Sequence, residues 1–176
     1  MTTDSDELES LLTGKGIEGW TETWSSEAWY RQADTLIGHQ KVDKNALLRR
    51  GDSTWADYEV HVTGALIEGS NLQIFFRVSD DGSSYYAFDW GNVGKVVLSR
   101  RDGRNLEWLS VVEVPIQMGR AYDIVVAARG TSISTSIDGE PVHLLTDGTY
   151  RTGGVGFNMW HKARVTFRDP RIRHYR

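Results

Sequence analysis

The chain has 176 residues, no cysteine, and 24 acidic against 20 basic side chains, which gives a formal net charge of −4. This length fits one domain, residues 1–176, with a hydrophobic core of its own. The lack of cysteine excludes disulfides, thiolate metal sites and a cysteine nucleophile, and the acidic balance argues against nucleic acid as a partner.

The first residues predict a short helix. Ser5 can cap it, acidic residues occupy its first turn, and Gly14 ends it. The leucines of this segment share one stripe of such a helix: Leu8, Leu11 and Leu12. We expect residues 1–14 to form this helix and an entry segment that docks on a larger body.

The N-terminal segment also bears on the cellular location of the protein. It is acidic and lacks the basic-then-apolar pattern of a signal peptide. No apolar run in the chain approaches the roughly 20 residues that are needed to cross a bilayer. We therefore expect a soluble protein in the cytoplasm, without a membrane partner.

Residues 54–90 have the alternation of three consecutive β-strands. The apolar side chains of the first two strands point to one side: Tyr58, Val60, Val62, Leu72, Ile74 and Phe76. Asp81 and Gly82 supply the turn into the third strand. We expect the opposite face to carry hydrogen-bonding side chains beside aromatic ones, which suits a polyhydroxylated ligand: Glu59, His61, Gln73, Arg77 and Asp89.

The rest of the chain continues this pattern. Asp102–Gly103 and Asp138–Gly139 predict two further hairpins. About a dozen short strands with frequent turns indicate an all-β protein, built as a two-sheet β-sandwich or jelly roll. Such a sandwich has a concave face that is open to ligands. Five arginines follow in the last strand, where they indicate a solvated strand more than an anion or nucleic-acid site.

Several motifs resemble one known family. SLLTGKGIEGW, then LLRRGDSTWADYEV, then GSNLQIFFRVS follow the order found in the 3-keto-disaccharide hydrolase domain family. The resemblance runs from about Ser10 to the final strand. It implies the concanavalin A-like lectin/glucanase sandwich as the fold, and cleavage of a 3-keto-glycoside, by hydrolysis or elimination, as the activity.

The resemblance also singles out candidate catalytic residues. It points to Glu59 together with Asn71 and Arg77, and Asp89 lies near an acid of the family. Strand parity places Glu59 and Asp89 on one face, where two carboxylates can serve glycoside hydrolysis. In an elimination Glu59 or His61 would take the C2 proton that the C3 ketone acidifies, with Arg77 or a metal stabilising the enolate. The alternative for Glu59 is a plain cross-strand ion pair with Arg77.

Candidate ligand-binding residues combine polar groups with flat rings. Asn71, Gln73 and Arg77 can take hydroxyl groups, and rings can stack on sugar faces. The ring candidates are Trp90, Trp160 and His161, although several of the seven tryptophans are expected in the core. The class that competes with an enzyme is a non-catalytic, lectin-like carbohydrate-binding module, and a third is a scaffold whose polar face is plain surface.

The sequence names no cofactor. Its histidines show no ligand spacing with one another, so no zinc site is predicted: His39, His143, His161 and His174. A divalent cation such as calcium stays open, because its oxygen ligands leave no short signature. The expected partner is a carbohydrate or sugar-derived small molecule, and homo-oligomer formation stays open.

Overall fold

The computed structural model describes residues 7–175, which form fifteen strands. In chain order they are β1 (Glu9–Ser10), β2 (Thr21–Thr23), β3 (Trp29–Gln32), β4 (Thr35–Gln40), β5 (Ala46–Arg50), β6 (Tyr58–Glu68), β7 (Asn71–Val78), β8 (Ser84–Gly91), β9 (Lys95–Asp102), β10 (Asn105–Glu113), β11 (Ala121–Arg129), β12 (Ser132–Ile137), β13 (Glu140–Thr146), β14 (Gly154–Met159) and β15 (Ala163–His174).

The strands form two antiparallel sheets. The eight-stranded sheet has the order β13-β12-β11-β6-β15-β4-β3, with β1 paired to β15, and the seven-stranded sheet has the order β10-β9-β8-β7-β14-β5-β2. The predicted all-β two-sheet sandwich is therefore confirmed. Residues 7–175 include no helix, and hence none that is long and apolar enough to span a membrane.

The predicted N-terminal helix is wrong. Ser5 lies outside the described residues, but Glu9 and Ser10 pair with Ile172 and Arg171 of β15 as a short strand. Leu11 follows, buried in the core, and its N–H donates to the carbonyl of Pro170 at 2.8 Å. Pairing with an existing sheet and burial of a leucine outweigh the weak preference of this segment for a helix.

The core lies between the sheets and is rich in aromatic rings. The inward positions predicted for β6 and β7 are confirmed, since the apolar side chains of both strands are buried there. Phe157 of β14 stacks on Phe167 of β15 across the core, with ring centroids 4.0 Å apart and planes 13° apart. Such pairs fix the spacing of the two sheets and hold their outer faces in place.

The predicted hairpins are also present. β7 and β8 are joined around Asp81 and Gly82, and Gly82 adopts a φ of 76° that favours glycine. The Asp81 carboxylate accepts hydrogen bonds from the Ser83 N–H and from the Ser79 and Ser83 hydroxyls, which lower the pKa of Asp81 to about 2. This closed turn fixes the register of β7 against β8.

Candidate functional site

A groove of about 110 Å³ lies on the outer face of the seven-stranded sheet. Strands β7, β8, β9, β10 and β14 contribute to it, together with residues flanking β5 and β14. Its lining is Asn45, Gln73, Phe75, Tyr85, Ala87, Asp89, Ser99, Arg101, Leu106, Trp108, Asn158 and Trp160.

Three polar residues form a row across the middle of this face. Gln73 of β7 is the register partner of Asp89 on β8 and of Asn158 on β14. Their neighbours along the strands, such as Leu72 and Phe157, point into the core. Side chains alternate along a strand, so the three polar groups lie side by side on the outer face.

Hydrogen bonds connect this row. The Asp89 carboxylate accepts from Nδ2 of Asn71 at 2.5 Å and from Nε2 of Gln73 at 3.0 Å. Oε1 of Gln73 accepts from Nδ2 of Asn158 at 2.6 Å. Burial raises the pKa of Asp89, and this effect outweighs the two amide hydrogen bonds, which lower the pKa. Asn71, Asp89, Gln73 and Asn158 are called the polar row below.

Three buried polar atoms without a hydrogen-bond partner lie in the groove. Oδ1 of Asn158, Oδ1 of Asn45 and Nε of Arg101 are buried, and no group among the described residues hydrogen-bonds them. Asn158 is only 2% exposed. Buried polar atoms are normally paired, so an open groove holding three exceptions has the hydrogen-bonding capacity for a polar ligand.

Aromatic rings border the same groove. Trp108 is 65% exposed and Trp160 is 47% exposed, both unusually high for so large an apolar side chain. Beside them Phe75 and Tyr85 stack with centroids 3.9 Å apart and form part of the floor. Exposed rings next to polar acceptors can cover the apolar face of a sugar while its hydroxyls find hydrogen bonds.

The structure brings together four of the residues singled out in the sequence. Gln73, Asp89 and Trp160 line the groove, and Asn71 reaches it through its hydrogen bond to Asp89. His161 lies next to the ring of Trp160, with centroids 4.6 Å apart, but its Nδ1 is 3.9 Å from the Asp43 carboxylate and it does not line the groove.

Trp90 is not a groove residue. It is fully buried between the sheets, and its indole N–H donates to the carbonyl of Val114 at 2.8 Å. Trp90 follows Asp89 directly, so when the carboxylate faces outward the ring must face the core. Its predicted stacking on a ligand is therefore wrong.

Arg77 was predicted on the same face as Gln73, and this placement is wrong. Phe76 and Val78 pair with consecutive residues of β14, which leaves Arg77 as the extra residue of a β-bulge, with a φ of 48°. The bulge turns the guanidinium away from the groove. It donates to the carbonyls of Gly130 at 2.8 Å and Tyr150 at 2.9 Å, and Arg77 is 1% exposed.

Glu59 and His61 were expected beside Asp89 and are not there. Both project from β6, which belongs to the eight-stranded sheet, whereas Asp89 belongs to the seven-stranded sheet. The chain passes from one sheet to the other between β6 and β7. The side chains of β6 alternate as predicted, but Glu59 and His61 lie on the outer face of the eight-stranded sheet, opposite to the sheet that holds Asp89.

Glu59 has its own partners there, so its predicted ion pair with Arg77 is also wrong. One carboxylate oxygen is 2.7 Å from Nε2 of His61 and 3.6 Å from Nε of Arg173, and the other accepts from the Tyr175 hydroxyl. Burial raises the pKa of Glu59, but the hydrogen bonds from Tyr175 and His61 outweigh it and the pKa is lowered.

Sequence reasoning did not name nine of the twelve groove residues: Asn45, Phe75, Tyr85, Ala87, Ser99, Arg101, Leu106, Trp108 and Asn158. Alternation alone could have found Ser99, because buried Leu98 precedes it in β9, and Asn158, because buried Phe157 precedes it in β14. No pattern within β10 marks Trp108, because most positions of that edge strand are exposed.

Metal binding receives no support from side-chain clusters. Within residues 7–175, no group of three or more histidine, aspartate or glutamate side chains is placed to hold a metal ion.

Comparison with known proteins agrees with this architecture. Residues 7–173 match the family model described as the 3-keto-alpha-glucoside-1,2-lyase-like domain, which confirms the resemblance seen in the sequence. An extracellular exo-alpha-L-arabinofuranosidase from Streptomyces chartreusis is 30% identical over 131 residues, 73% of this chain, and the match spans 16% of that enzyme. The expected cytoplasmic location is contradicted by this extracellular relative.

Solved structures share the fold, and two of them serve as examples. The carbohydrate-binding module CBM66 from Bacillus subtilis superimposes with a TM-score of 0.75 at 17% identity, covering 86% of this chain and 93% of the module. The exoplasmic/lumenal domain of VIP36, in a Ca²⁺/Man-bound form, gives a TM-score of 0.68 at 8% identity, covering 89% of this chain and 83% of that domain.

Proposed function

Since this chain belongs to the 3-keto-alpha-glucoside-1,2-lyase-like domain family, we propose that it binds carbohydrate in the groove of its seven-stranded sheet. The observation that carries the proposal is the polar row, which ends in an unpartnered acceptor, Oδ1 of Asn158, in a groove that two exposed tryptophans also line. Its likeness to a carbohydrate-binding module supports the same function.

The groove suits a sugar for two physical reasons. Trp108 and Trp160 offer flat apolar surface, and Asn45, Arg101 and Asn158 offer hydrogen-bonding atoms that water or a ligand must satisfy. A volume of about 110 Å³ is below the range of roughly 300–1,000 Å³ that encloses small molecules. The ligand would therefore rest one ring in the groove and leave the remainder in solvent.

Hydrolysis by two carboxylates finds little support in this geometry. That mechanism needs an acid and a second carboxylate on either side of the glycosidic bond. Asp89 is the one carboxylate among the described groove residues, and Glu59 projects from the other sheet. A binding module without catalysis is the function that these side chains fit best.

A second candidate is elimination from a 3-keto-glycoside, which the family description favours and which needs only one base. Asp89 would take the C2 proton, the C–H electrons would form the C1=C2 bond, and the C1–O bond would break. The leaving oxygen would take the proton back from Asp89, which releases a neutral alcohol and restores the carboxylate. Burial raises the pKa of Asp89 and so makes its carboxylate a stronger base. Asn71 and Gln73 would hold the carboxylate in position.

Titration calorimetry across a panel of glycosides, including methyl α-D-glucopyranoside and its 3-keto derivative, tests both candidates. Saturable binding without turnover is expected for the binding module. Trp108→Ala and Trp160→Ala should each weaken binding by about 1 kcal/mol, or about fivefold. Tyr30→Ala is the control, because Tyr30 is exposed on β3 of the other sheet.

Product formation from the 3-keto derivative that is lost in Asp89→Asn would establish the elimination instead. If no glycoside of the panel binds or reacts, the proposal of a carbohydrate site is wrong.

A further inference from the structure

The Asp89 carboxylate determines how the side-chain amides of the polar row are oriented. An ionised carboxylate only accepts hydrogen bonds, so Gln73 must turn its Nε2 toward Asp89. Oε1 of Gln73 then faces β14 and accepts from Nδ2 of Asn158. With its nitrogen engaged, Asn158 is left to present its oxygen. Each amide in the row is oriented by the one before it.

The last atom of the row is buried and without a partner. Oδ1 of Asn158 is hydrogen-bonded by no described residue, although Asn158 is 98% buried and lines the groove. A buried acceptor that stays unpaired carries a free-energy penalty, so a ligand that donates a hydrogen bond here removes it. Oδ1 of Asn45 is a second acceptor of this kind in the same groove.

We infer that Asn158 is a specificity-determining residue which accepts a hydrogen bond from a sugar hydroxyl, and that Asp89 is the positioning residue that fixes this role through Gln73. The inference rests on the proposed carbohydrate site. It adds the chemistry of the contact: the group that meets Asn158 is a hydroxyl donor, and a ketone or ether oxygen, which can only accept, is rejected there.

A ligand-free experiment tests whether Asp89 orients Asn158 through Gln73, an arrangement called the relay. Asp89 and Asn158 sit two strands apart, roughly 10 Å by the usual strand spacing, a separation at which stability effects normally add. Urea unfolding of Asp89→Leu, Asn158→Leu and the double variant should show non-additivity beyond about twofold in the unfolding equilibrium constant. The same cycle in a Gln73→Leu background should be additive. Additivity with Gln73 in place overturns the relay.

A ligand experiment tests the hydroxyl contact, with methyl α-D-glucopyranoside and its monodeoxy and deoxyfluoro derivatives as probes. Fluorine cannot donate a hydrogen bond, so at one ring position both derivatives should bind the wild type about tenfold more weakly than the parent sugar. In Asn158→Leu the parent and the derivatives should bind alike. In Asp89→Asn, residue 89 can donate as well as accept, so the side-chain amides of Gln73 and Asn158 can both turn over. The preference of the site for a hydroxyl over fluorine should therefore fall.

The outcomes separate the two proposals. Equal binding of the parent and all deoxyfluoro derivatives by the wild type overturns the hydroxyl contact and leaves the carbohydrate site standing. Failure of every panel sugar to bind overturns the site and the contact with it, while the unfolding cycle still decides whether Asp89 orients Asn158.

Discussion

Arg77→Met should destabilise the fold strongly and leave the groove intact. The substitution keeps much of the apolar stem and removes the guanidinium, which donates to the carbonyls of Ala56, Gly130 and Tyr150 and to the Asp57 carboxylate at 2.8–3.2 Å. These hydrogen bonds join β7 to three separate loops. Their loss leaves three carbonyls of partly buried residues without this donor.

The size of the destabilisation is the balance between the hydrogen bonds that are lost and the cost of burying the charge that is relieved. Each hydrogen bond to a charged group contributes about 1.5–3 kcal/mol, but removing Arg77 also removes the penalty of burying its charge, which lowers its pKa. The Asp57 carboxylate is 38% exposed and stays solvated without Arg77, so its ion pair adds little. Three hydrogen bonds to carbonyls contribute about 5–9 kcal/mol, and burial of the charge offsets several kcal/mol of this, so a net loss of about 4 kcal/mol is expected. For a domain of this length that corresponds to a fall in Tm of about 8–16 °C.

Urea unfolding followed by tryptophan fluorescence measures the change, and calorimetry on the folded variant measures sugar binding. Arg120→Met is the control, since Arg120 is 3.0 Å from the Asp138 carboxylate in an exposed ion pair that is worth at most about 1 kcal/mol. An unchanged unfolding midpoint for Arg77→Met, or loss of sugar binding at full stability, would refute the structural role of Arg77.

Three further predictions follow from the same structure. Glu59→Gln should leave sugar binding within about twofold of wild type by calorimetry, because Glu59 lies on the other sheet. Asp89 has a raised pKa, so the folded chain keeps that proton to a higher pH than the unfolded chain; lowering the pH from neutrality toward 3.8 should therefore stabilise the wild type relative to Asp89→Asn in urea unfolding. Gly153→Ala should lower stability by about 3 kcal/mol, because its Cβ would come within 2.4 Å of the Arg77 backbone, whereas Gly103→Ala, with free space around it, should cost only about 1 kcal/mol by the same assay.

Strand alternation predicted the groove where two conditions held. Gln73 and Asp89 lie on neighbouring strands of one tight hairpin, so the turn at Asp81 and Gly82 fixes which residues face each other. Parity within each strand then decides the face. Asn71 follows the same rule, and all three were placed together from sequence.

The remaining placements depended on information that alternation does not contain. Parity along β6 shows which side Glu59 takes, but not whether β6 pairs with β7 or lies in the opposite sheet. The β-bulge at Arg77 breaks the alternation of side chains for that one residue. The bulge arises because Val78 pairs with Gly154, a residue far away in the chain. Asn158 joins the row through the same long-range pairing of β14 with β7.

The two outer faces differ in the kind of buried side-chain atom that lacks a hydrogen-bond partner. Among the described residues, the buried oxygens without a partner are Oδ1 of Asn45 and Oδ1 of Asn158, and both lie in the groove. Both oxygens of Glu59 interact with His61, Arg173 and Tyr175. The buried atom of this cluster that lacks a hydrogen bond is a nitrogen, Nε of Arg173. The polar row is equally well ordered from Asp89 to Asn158, yet it stops at a buried oxygen that no described residue reaches. An apolar residue in place of Asn158 would remove this unpaired acceptor but would leave Oε1 of Gln73 without its donor. A ligand in the groove that donates a hydrogen bond to Oδ1 of Asn158 would instead complete the row and keep the hydrogen bond to Gln73.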